Sequence, residues 1–219
     1  MNDLRWIADS YMQLQKTRIA MENRLRALAQ EKDENPMPEE IKNAYNQMLE
    51  AEKNIQNYMK VEIKDHPAWE WLQQVKGVSH TLACKLLSML DIRIAKHPSS
   101  FWKFCGLGVT NGERDKLVKG ETAPYSKRAK TTMYLIGSSF LKCNSPYRKF
   151  YDEAKEKYQK EKPDWTKGHI HNAAMRKMEK IFLVCLWDIW RVAEGLPKDN
   201  PYVVAKLGHE KRYNPDKFI

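Results

Sequence analysis

The stretch WLQQVKGVSHTLACKLLSML, residues 71–90, decides how the second part of this chain is expected to fold. Its apolar residues keep a helical spacing except at one break, which is centred on Gly77. Glycine permits a turn with a positive φ, and Val75 and Val78 would hold that turn against a core. The small side chain of Ala83 would let two helices cross closely. The pattern predicts two short helices on either side of a tight glycine turn.

The second of these helices would begin with free backbone N–H groups, which form a natural anion site. A helix-hairpin-helix of this kind grips a phosphate backbone without reading its sequence. Such hairpins usually carry a second glycine where Ser79 stands, and an ordinary helix–helix corner is the alternative. The candidate phosphate-binding residues of the hairpin are Lys76, Gly77, Val78, Ser79, His80 and Lys85.

Charge is distributed unevenly along the chain of 219 residues, which has a net charge of +10. Residues 1–65 carry 10 Lys and Arg against 12 Asp and Glu, whereas the remainder carries 28 against 16, a net charge of +12. The basic composition suggests an anionic partner, nucleic acid or a membrane surface, and the asymmetry favours nucleic acid as the partner of the second part. A generally basic surface with no specific partner is the alternative.

The cysteines and the apolar runs indicate the compartment. Cys84, Cys105, Cys143 and Cys185 are far apart and form no Cys-x-x-Cys pair, so we expect buried, reduced thiols. The N-terminus lacks a signal-peptide core, and the most apolar run, 181–190, is too short to span a bilayer. The sequence therefore predicts a cytoplasmic protein without membrane contact, in a nucleoid or mobile-element setting.

The first 64 residues have the pattern of a helical hairpin. Residues at steps of 3 and 4 form one stripe: Leu4, Ile7, Tyr11, Leu14, Arg18, Met21, Leu25 and Leu28. A second stripe follows two prolines: Ile41, Tyr45, Met48, Glu52, Ile55 and Met59. We expect an antiparallel coiled-coil hairpin over 1–64 that forms a homodimer through residues 4–59. Packing of the hairpin on its own C-terminal domain is the alternative.

The fold class predicted for the whole chain is mostly α. After the hairpin we expect a helical nucleic-acid-binding domain over 65–195, and then an irregular tail over 196–219. Within the domain, a helix over 125–141 would place Ala129, Met133, Ile136 and Phe140 on its core face.

The start of that helix carries the second group of candidates. Lys127, Lys130 and Tyr134 fall at i, i+3 and i+7, on the face opposite the core stripe. Cations at a helix N-terminus oppose the helix dipole, which indicates a partner that supplies negative charge, although a solvated helix start is the alternative. The candidates of this group are Ser126, Lys127, Arg128 and Lys130, with Arg148 and Lys149 as weaker phosphate contacts.

Metal and cofactor chemistry find little support. His169 and His171 are two residues apart, so on a helix they point in different directions. No Cys or acidic residue lies at metal-ligand spacing from them, and no glycine-rich loop ends in the Lys-Ser/Thr of a P-loop. The sequence predicts no catalytic residue, no metal site and no cofactor.

Several short motifs occur together in one order over roughly residues 70–195. After the glycine hairpin come Asp91-Ile92 with His97-Pro98-Ser99, then Gly106-Leu107, Ser126-Lys127-Arg128-Ala129 and Asn144-Ser145-Pro146-Tyr147. This order resembles the C-terminal domain of DEDD transposases of the insertion-sequence "one-ten" type. Those transposases resemble the Piv invertases and include the bridge-RNA recombinases. The resemblance implies DNA handling and dimerisation.

Two departures from that family limit what the resemblance implies. Its members begin with a RuvC-like domain that holds four metal-binding acids, and we expect no such domain in this chain. Its nucleophilic serine lies in the loop after Gly-Leu, where this chain has no serine over residues 111–117. The resemblance therefore does not imply strand transfer by this chain.

We expect a double-stranded DNA-binding protein without sequence specificity, serving a mobile element or phage. One alternative is a subunit of a DNA recombinase or transposase whose catalytic metal domain, RuvC-like, is on another chain. The other alternative is an RNA-binding component of a ribonucleoprotein.

Overall fold

A computed structural model describes residues 3–30, 38–110, 112–197 and 213–219. It confirms a mostly α fold with an N-terminal pair of long helices. The helices are α1 (Asp3–Gln30), α2 (Glu39–Glu62), α3 (Trp69–Leu72), α4 (His80–Leu87), α5 (Pro98–Phe104), α6 (Lys127–Lys142), α7 (Arg148–Glu161) and α8 (Lys167–Ala193). The strands β1 (Val109–Thr110) and β2 (Glu113–Arg114) pair antiparallel.

Helices α1 and α2 form an antiparallel hairpin around one buried carboxylate, Glu52. Glu52 Oε1 accepts hydrogen bonds from Tyr11 Oη at 3.0 Å and Gln15 Nε2 at 2.9 Å, and Arg18 forms an ion pair with Oε2. Burial would raise the pKa of Glu52, but the hydrogen bonds from Arg18, Gln15 and Tyr11 outweigh burial and lower it. The two polar residues of the predicted seams therefore pair within the chain.

The base of this hairpin packs on the rest of the chain. Leu4, Ile7 and Tyr11 of α1 and Met59 of α2 are buried in the same core as the C-terminal helices. Both α1 and α2 contact α4, and Lys85 of α4 donates from Nζ to Gln15 Oε1 at 2.9 Å. The boundary expected at residue 64 therefore does not separate two cores. These four apolar side chains are covered within the chain, which leaves only the outer part of the predicted 4–59 interface open.

The common core is built on α8. Its second half buries Ile181, Phe182, Leu186 and Trp187, and α5, α6 and α7 pack around it. The predicted core face of α6 is confirmed, since Ala129, Met133, Ile136 and Phe140 are all fully buried. Aromatic rings fill the space between α6, α7 and α8, where Tyr147 lies 5.0 Å from Phe140 and 5.6 Å from Phe182 between ring centroids.

Side chains of α8 also hold the irregular segments. Trp187 Nε1 donates to the carbonyl of Ala95 at 2.7 Å, and Arg191 donates to the carbonyls of Ile92, Ala95 and Pro197. The bonds to Ile92 and Ala95 satisfy carbonyl groups that the loop after α4 would otherwise bury without a partner, and the bond to Pro197 holds the segment after α8.

The end of the chain belongs to the same core. Most of the tail predicted to be irregular, 198–212, lies outside the described residues. Residues Pro215–Phe218 form a 3₁₀ turn, and Phe218 is buried against Tyr147 and Phe150. The last residues of the predicted tail are therefore ordered by packing.

Three of the four cysteines are buried and the fourth, Cys143, is half-buried. Burial raises the pKa of Cys84 and Cys185 to about 12 and raises that of Cys105 further. No helix of the described part of the chain is both long enough and apolar enough to cross a membrane.

The homodimer stays a prediction, and the outer part of the hairpin is where it can be tested. Leu28 and Ile41 belong to the predicted seams and are exposed. If these seams pair two copies, Leu28→Glu with Ile41→Glu should convert a dimer into a monomer at tens of micromolar. The free energy of unfolding of the monomer should change by about 0.5 kcal/mol or less, as expected for exposed positions. Light scattering of the full chain measures the mass.

Gln13→Glu with Asn46→Glu, at exposed polar positions of the same helices, is the matched control and should leave the mass unchanged. A monomeric wild-type chain at the same concentration would contradict the dimer.

Candidate nucleic-acid interface

The glycine turn forms as predicted, but its open side faces protein. Gly77 has a φ of +101°, and its carbonyl accepts a hydrogen bond from Ser139 Oγ of α6 at 2.7 Å. A Cβ at this position would lie 2.9 Å from Cys143 Sγ and 3.0 Å from Phe140 Cδ1. The close approach that glycine permits here is therefore that of the end of α6.

The other hairpin candidates divide into exposed and enclosed residues. Lys76 and Ser79 are exposed, and Ser79 Oγ caps α4 by accepting from the Leu82 N–H at 3.3 Å. Val78 is buried in the core. Burial, and then the charge of Lys60, lower the pKa of His80, so this imidazole is neutral near pH 7.

The position of Lys85 corrects its prediction as a phosphate-binding residue. It is buried, its amine bonds Gln15, and it lies 4.7 Å above the ring of Tyr11. Lys85 therefore holds the N-terminal hairpin to α4, and His80 adds no positive charge. Only Lys76 of the hairpin candidates offers an exposed cation.

The start of α6 offers more positive charge to solvent. Ser126 Oγ caps the helix by accepting from the Ala129 N–H at 3.2 Å, and Lys127 is exposed. Arg128, one of the predicted phosphate contacts, forms an ion pair with Asp9 of α1. Lys130 donates from Nζ to Tyr125 Oη at 3.2 Å and is half-buried.

Arg148 and Lys149, the weaker candidates, lie at the other end of α6. Arg148 Nη1 donates to the carbonyl of Leu141 at 3.2 Å and so satisfies the last turn of α6. Lys149 Nζ lies 4.7 Å above the ring of Phe218 and 5.1 Å above that of Phe150.

The two groups of sequence candidates do not converge. Gly77 lies against the C-terminal end of α6, whereas Ser126 and Lys127 lie at its N-terminal end. A helix of 16 residues is about 24 Å long at 1.5 Å per residue. One phosphate site cannot include both groups, and they would have to bind different positions along a nucleic acid.

A cleft of about 510 Å³ opens beside the start of α6. It lies between α6, α8 and the loop that contains the β1–β2 hairpin. Its walls and floor are formed by Leu107, Arg114, Asp115, Lys116, Leu117, Tyr125, Lys130, Tyr134, Asn172, Met175, Arg176 and Glu179.

Arg176 of α8 fixes the loop that forms one wall. Its guanidinium donates to the carbonyl of Gly106 at 2.8 Å and to that of Gly108 at 3.1 Å. The Asp115 N–H in turn donates to the carbonyl of Gly108 at 3.3 Å, and the Asp115 carboxylate accepts from Thr110 Oγ1 at 2.8 Å. These bonds place Arg114 and Lys116, which are exposed, opposite α6.

Glu179 lies at the floor of the cleft and is 4% exposed. Burial raises the pKa of this carboxyl to about 8, against the opposing charges of Arg176 and Lys130. Gly137 of α6 makes room for it, since a Cβ there would lie 2.8 Å from Glu179 Oε1.

The cleft combines four cations with two tyrosines. Arg114, Lys116, Lys130 and Arg176 supply positive charge, and Tyr134 presents a ring that is 53% exposed. Cations beside an accessible aromatic ring suit phosphates together with a base. The sequence analysis identified Lys130 and Tyr134 but missed Arg114, Lys116 and Arg176.

The residues that were missed left only a weak signal in the sequence. Arg176 and Glu179 are charged residues in a helix whose buried side chains are mostly apolar, and charged residues in such a setting need a partner or a function. The partners of Arg176 are the carbonyls of Gly106 and Gly108, about 70 positions away in the chain. Local spacing alone therefore could not identify the site.

In the part of the chain that the structure describes, no three His, Cys, Asp or Glu side chains group as metal ligands do. His171 Nδ1 instead lies 2.8 Å from Tyr151 Oη, and His169 stacks on Trp165. Comparisons with protein-family models, with curated proteins and with solved structures find no match to this chain.

Replacing Gly77 tests the packing of the turn. Gly77→Ala should lower the free energy of unfolding by about 2–4 kcal/mol, because a positive φ costs about 1–2 kcal/mol and the new Cβ also overpacks the end of α6. Chemical denaturation measures the loss.

Gly120→Ala is the control. Gly120 has a φ of +87° and nothing within 4 Å of an added Cβ, so it carries the backbone cost alone. Equal losses in the two variants would contradict the packing of Gly77 against α6.

The buried carboxyl of Glu179 predicts a pH dependence of stability. Between its ordinary pKa of 4.5 and its folded pKa of about 8, the folded chain keeps a proton that the unfolded chain has lost. Stability is fully present below pH 4.5 and falls as the pH rises through 8. Wild type should therefore lose on the order of 3 kcal/mol relative to Glu179→Gln between pH 5 and pH 8.5.

Urea unfolding of both proteins at the two pH values measures this difference. A constant difference between the two proteins would show that the Glu179 carboxyl titrates normally.

Proposed function

We propose that this protein binds double-stranded DNA through its phosphate backbone, without sequence specificity. The binding surface is the rim of the cleft, with Arg114 and Lys116 on the loop and Lys130 on α6, and it continues to the exposed Lys127 at the start of α6. The observation that carries the proposal is that Arg114, Lys116 and Lys130, which come from two separate segments, line one cleft.

The charge of these side chains is largely available to a partner. Arg114 and Lys127 are exposed and have no acidic partner among the described residues. Lys116 pairs only with Glu113 on the surface, and an exposed pair of this kind is worth about 0–1 kcal/mol. Phosphates can therefore replace the solvent around these groups at little cost.

Two further features support DNA as the partner. The net charge of +12 after residue 65 would draw a polyanion to this part of the chain. The motifs that resemble transposase C-terminal domains, Gly106-Leu107 and Ser126 to Ala129, lie at the end of α5 and the start of α6, which adjoin the cleft. No base-reading groups are needed for contact with the backbone.

Four phosphate contacts predict a steep dependence on salt. The slope of log K against log salt concentration should be about −4 for wild type on duplex DNA. Arg114→Glu with Lys127→Glu should reduce the affinity about equally for every sequence and flatten the slope by about 2. Both side chains are exposed, so folding should be unaffected. Fluorescence anisotropy with three unrelated 20-base-pair duplexes, from low to moderate salt, gives the slopes.

Lys16→Glu with Lys53→Glu is the matched control. It makes the same change in net charge on exposed positions of the N-terminal hairpin, and its slope should stay near that of wild type. Equal loss in both double variants would assign the effect to net charge and not to the rim. A wild-type slope near zero would contradict the proposal, and tighter binding to RNA duplexes of equal length would favour the RNA alternative.

A further inference from the structure

The floor of the cleft contains a group that the rim does not use. Contact between rim cations and a phosphate backbone leaves unused the carboxyl of Glu179, which lines the cleft and is 4% exposed. A nearly buried polar group that lines a cleft is placed to hydrogen-bond a ligand that enters the cleft.

The shape and lining of the cleft define that ligand. A volume of about 510 Å³ lies within the range of small-molecule sites and holds a nucleotide. Tyr134 offers an accessible ring for stacking, and Met175 and Leu107 line the cleft with apolar surface. Arg114 and Lys116 at the opening match a phosphate that remains outside the floor.

We propose that the cleft holds one unpaired nucleotide, with its base edge hydrogen-bonded to Glu179 and its phosphate against Arg114 and Lys116. This inference rests on the proposed DNA binding, since a strand on the rim would deliver the base. A free nucleoside monophosphate presents the same chemistry, and the experiment below separates the two sources.

The protonation of Glu179 determines which bases fit. A protonated carboxyl has one donor and one acceptor, whereas an ionised one has acceptors only. Every base has an edge with a donor beside an acceptor, but guanine alone has two neighbouring donors, at N1 and N2. The protonated site therefore accepts any base, and the ionised site selects guanine.

The groups that face Glu179 come from every neighbouring element: Lys130 on α6, Arg176 on α8, Cys105 at the end of α5, and Arg114, Asp115 and Tyr125 on the loop. Lys130 and Arg176 are the nearest charges and favour ionisation, but burial outweighs them. Near neutral pH the site is base-tolerant, in keeping with binding that does not depend on sequence.

The test compares a 20-base-pair duplex with the same duplex carrying one bulged nucleotide, by fluorescence anisotropy with the full chain. Wild type should bind the bulged duplex about tenfold more tightly at pH 6.5, the gain expected from stacking one base. Glu179→Leu and Tyr134→Ala should lose this preference, while their affinity for the perfect duplex and their salt slope stay unchanged. Glu179→Gln, which keeps one donor and one acceptor, should retain the preference.

Measurements at two pH values distinguish hydrogen bonding between Glu179 and the base from simple packing. At pH 6.5 the four bulged bases should bind wild type within about threefold of one another, and at pH 9 guanine should become preferred by about tenfold. Glu179→Gln should show no guanine preference at either pH. A merely structural role for Glu179 would leave base preference independent of pH.

Titration calorimetry with the four nucleoside monophosphates distinguishes the sources. Micromolar binding that Glu179→Leu abolishes assigns a free nucleotide, and a bulge preference without such binding assigns a nucleotide of the strand. If the chain shows neither monophosphate binding nor a preference for the bulged duplex, while its salt-dependent duplex binding is intact, this inference is overturned and the proposed function stands. Absence of binding to every nucleic acid, with monophosphate binding intact, overturns the DNA proposal alone.

Discussion

The C-terminal helices and their loops depend on hydrogen-bond donors that one helix, α8, supplies to buried backbone carbonyls. The segment between α4 and α6 has little regular structure, so its peptide groups satisfy one another only in part. Trp187 and Arg191 bond the part around Ala95, and Arg176 bonds the turn at Gly106 and Gly108. An apolar helix alone would bury these carbonyls at a cost of about 1–3 kcal/mol each. The loop has a defined path because the helix beneath it is partly polar.

The cleft is a consequence of that arrangement. Arg176 donates two hydrogen bonds to the loop, so it anchors the wall of the cleft, and its charge also faces the interior. Burial lowers the pKa of Arg176 and raises that of Glu179, and each charge partly offsets the cost of the other. Glycine at position 137 completes the geometry, since any larger residue on α6 would occupy the place of the Glu179 carboxyl.

Local patterns predicted the elements well, and partners distant in sequence account for what was missed. The spacing of apolar residues located α6 to within two residues, and the positive φ of Gly77 followed from the break in pattern. Spacing could not show that Tyr11 and Arg18 would meet Glu52, because the pairs are 34 to 41 positions apart. For the same reason Lys85 looked like a surface cation. The rim residues Arg114 and Lys116 lie in a loop whose path depends on Arg176. A contact between residues so distant in sequence cannot be predicted from local patterns.

The burial of the thiols makes the chain convenient for spectroscopy. Cys84, Cys105 and Cys185 are enclosed, and burial keeps them protonated at neutral pH, so thiol-reactive dyes would attack them slowly. Cys143 is the half-buried exception, and its sulfur packs against Gly77. With Cys143 replaced by serine, a new cysteine at an exposed position of α1, such as Lys16, and another at Glu113 of β2 would be the two reactive positions. A donor and acceptor dye on this pair would report the distance between the hairpin arm and the cleft in solution, with and without DNA.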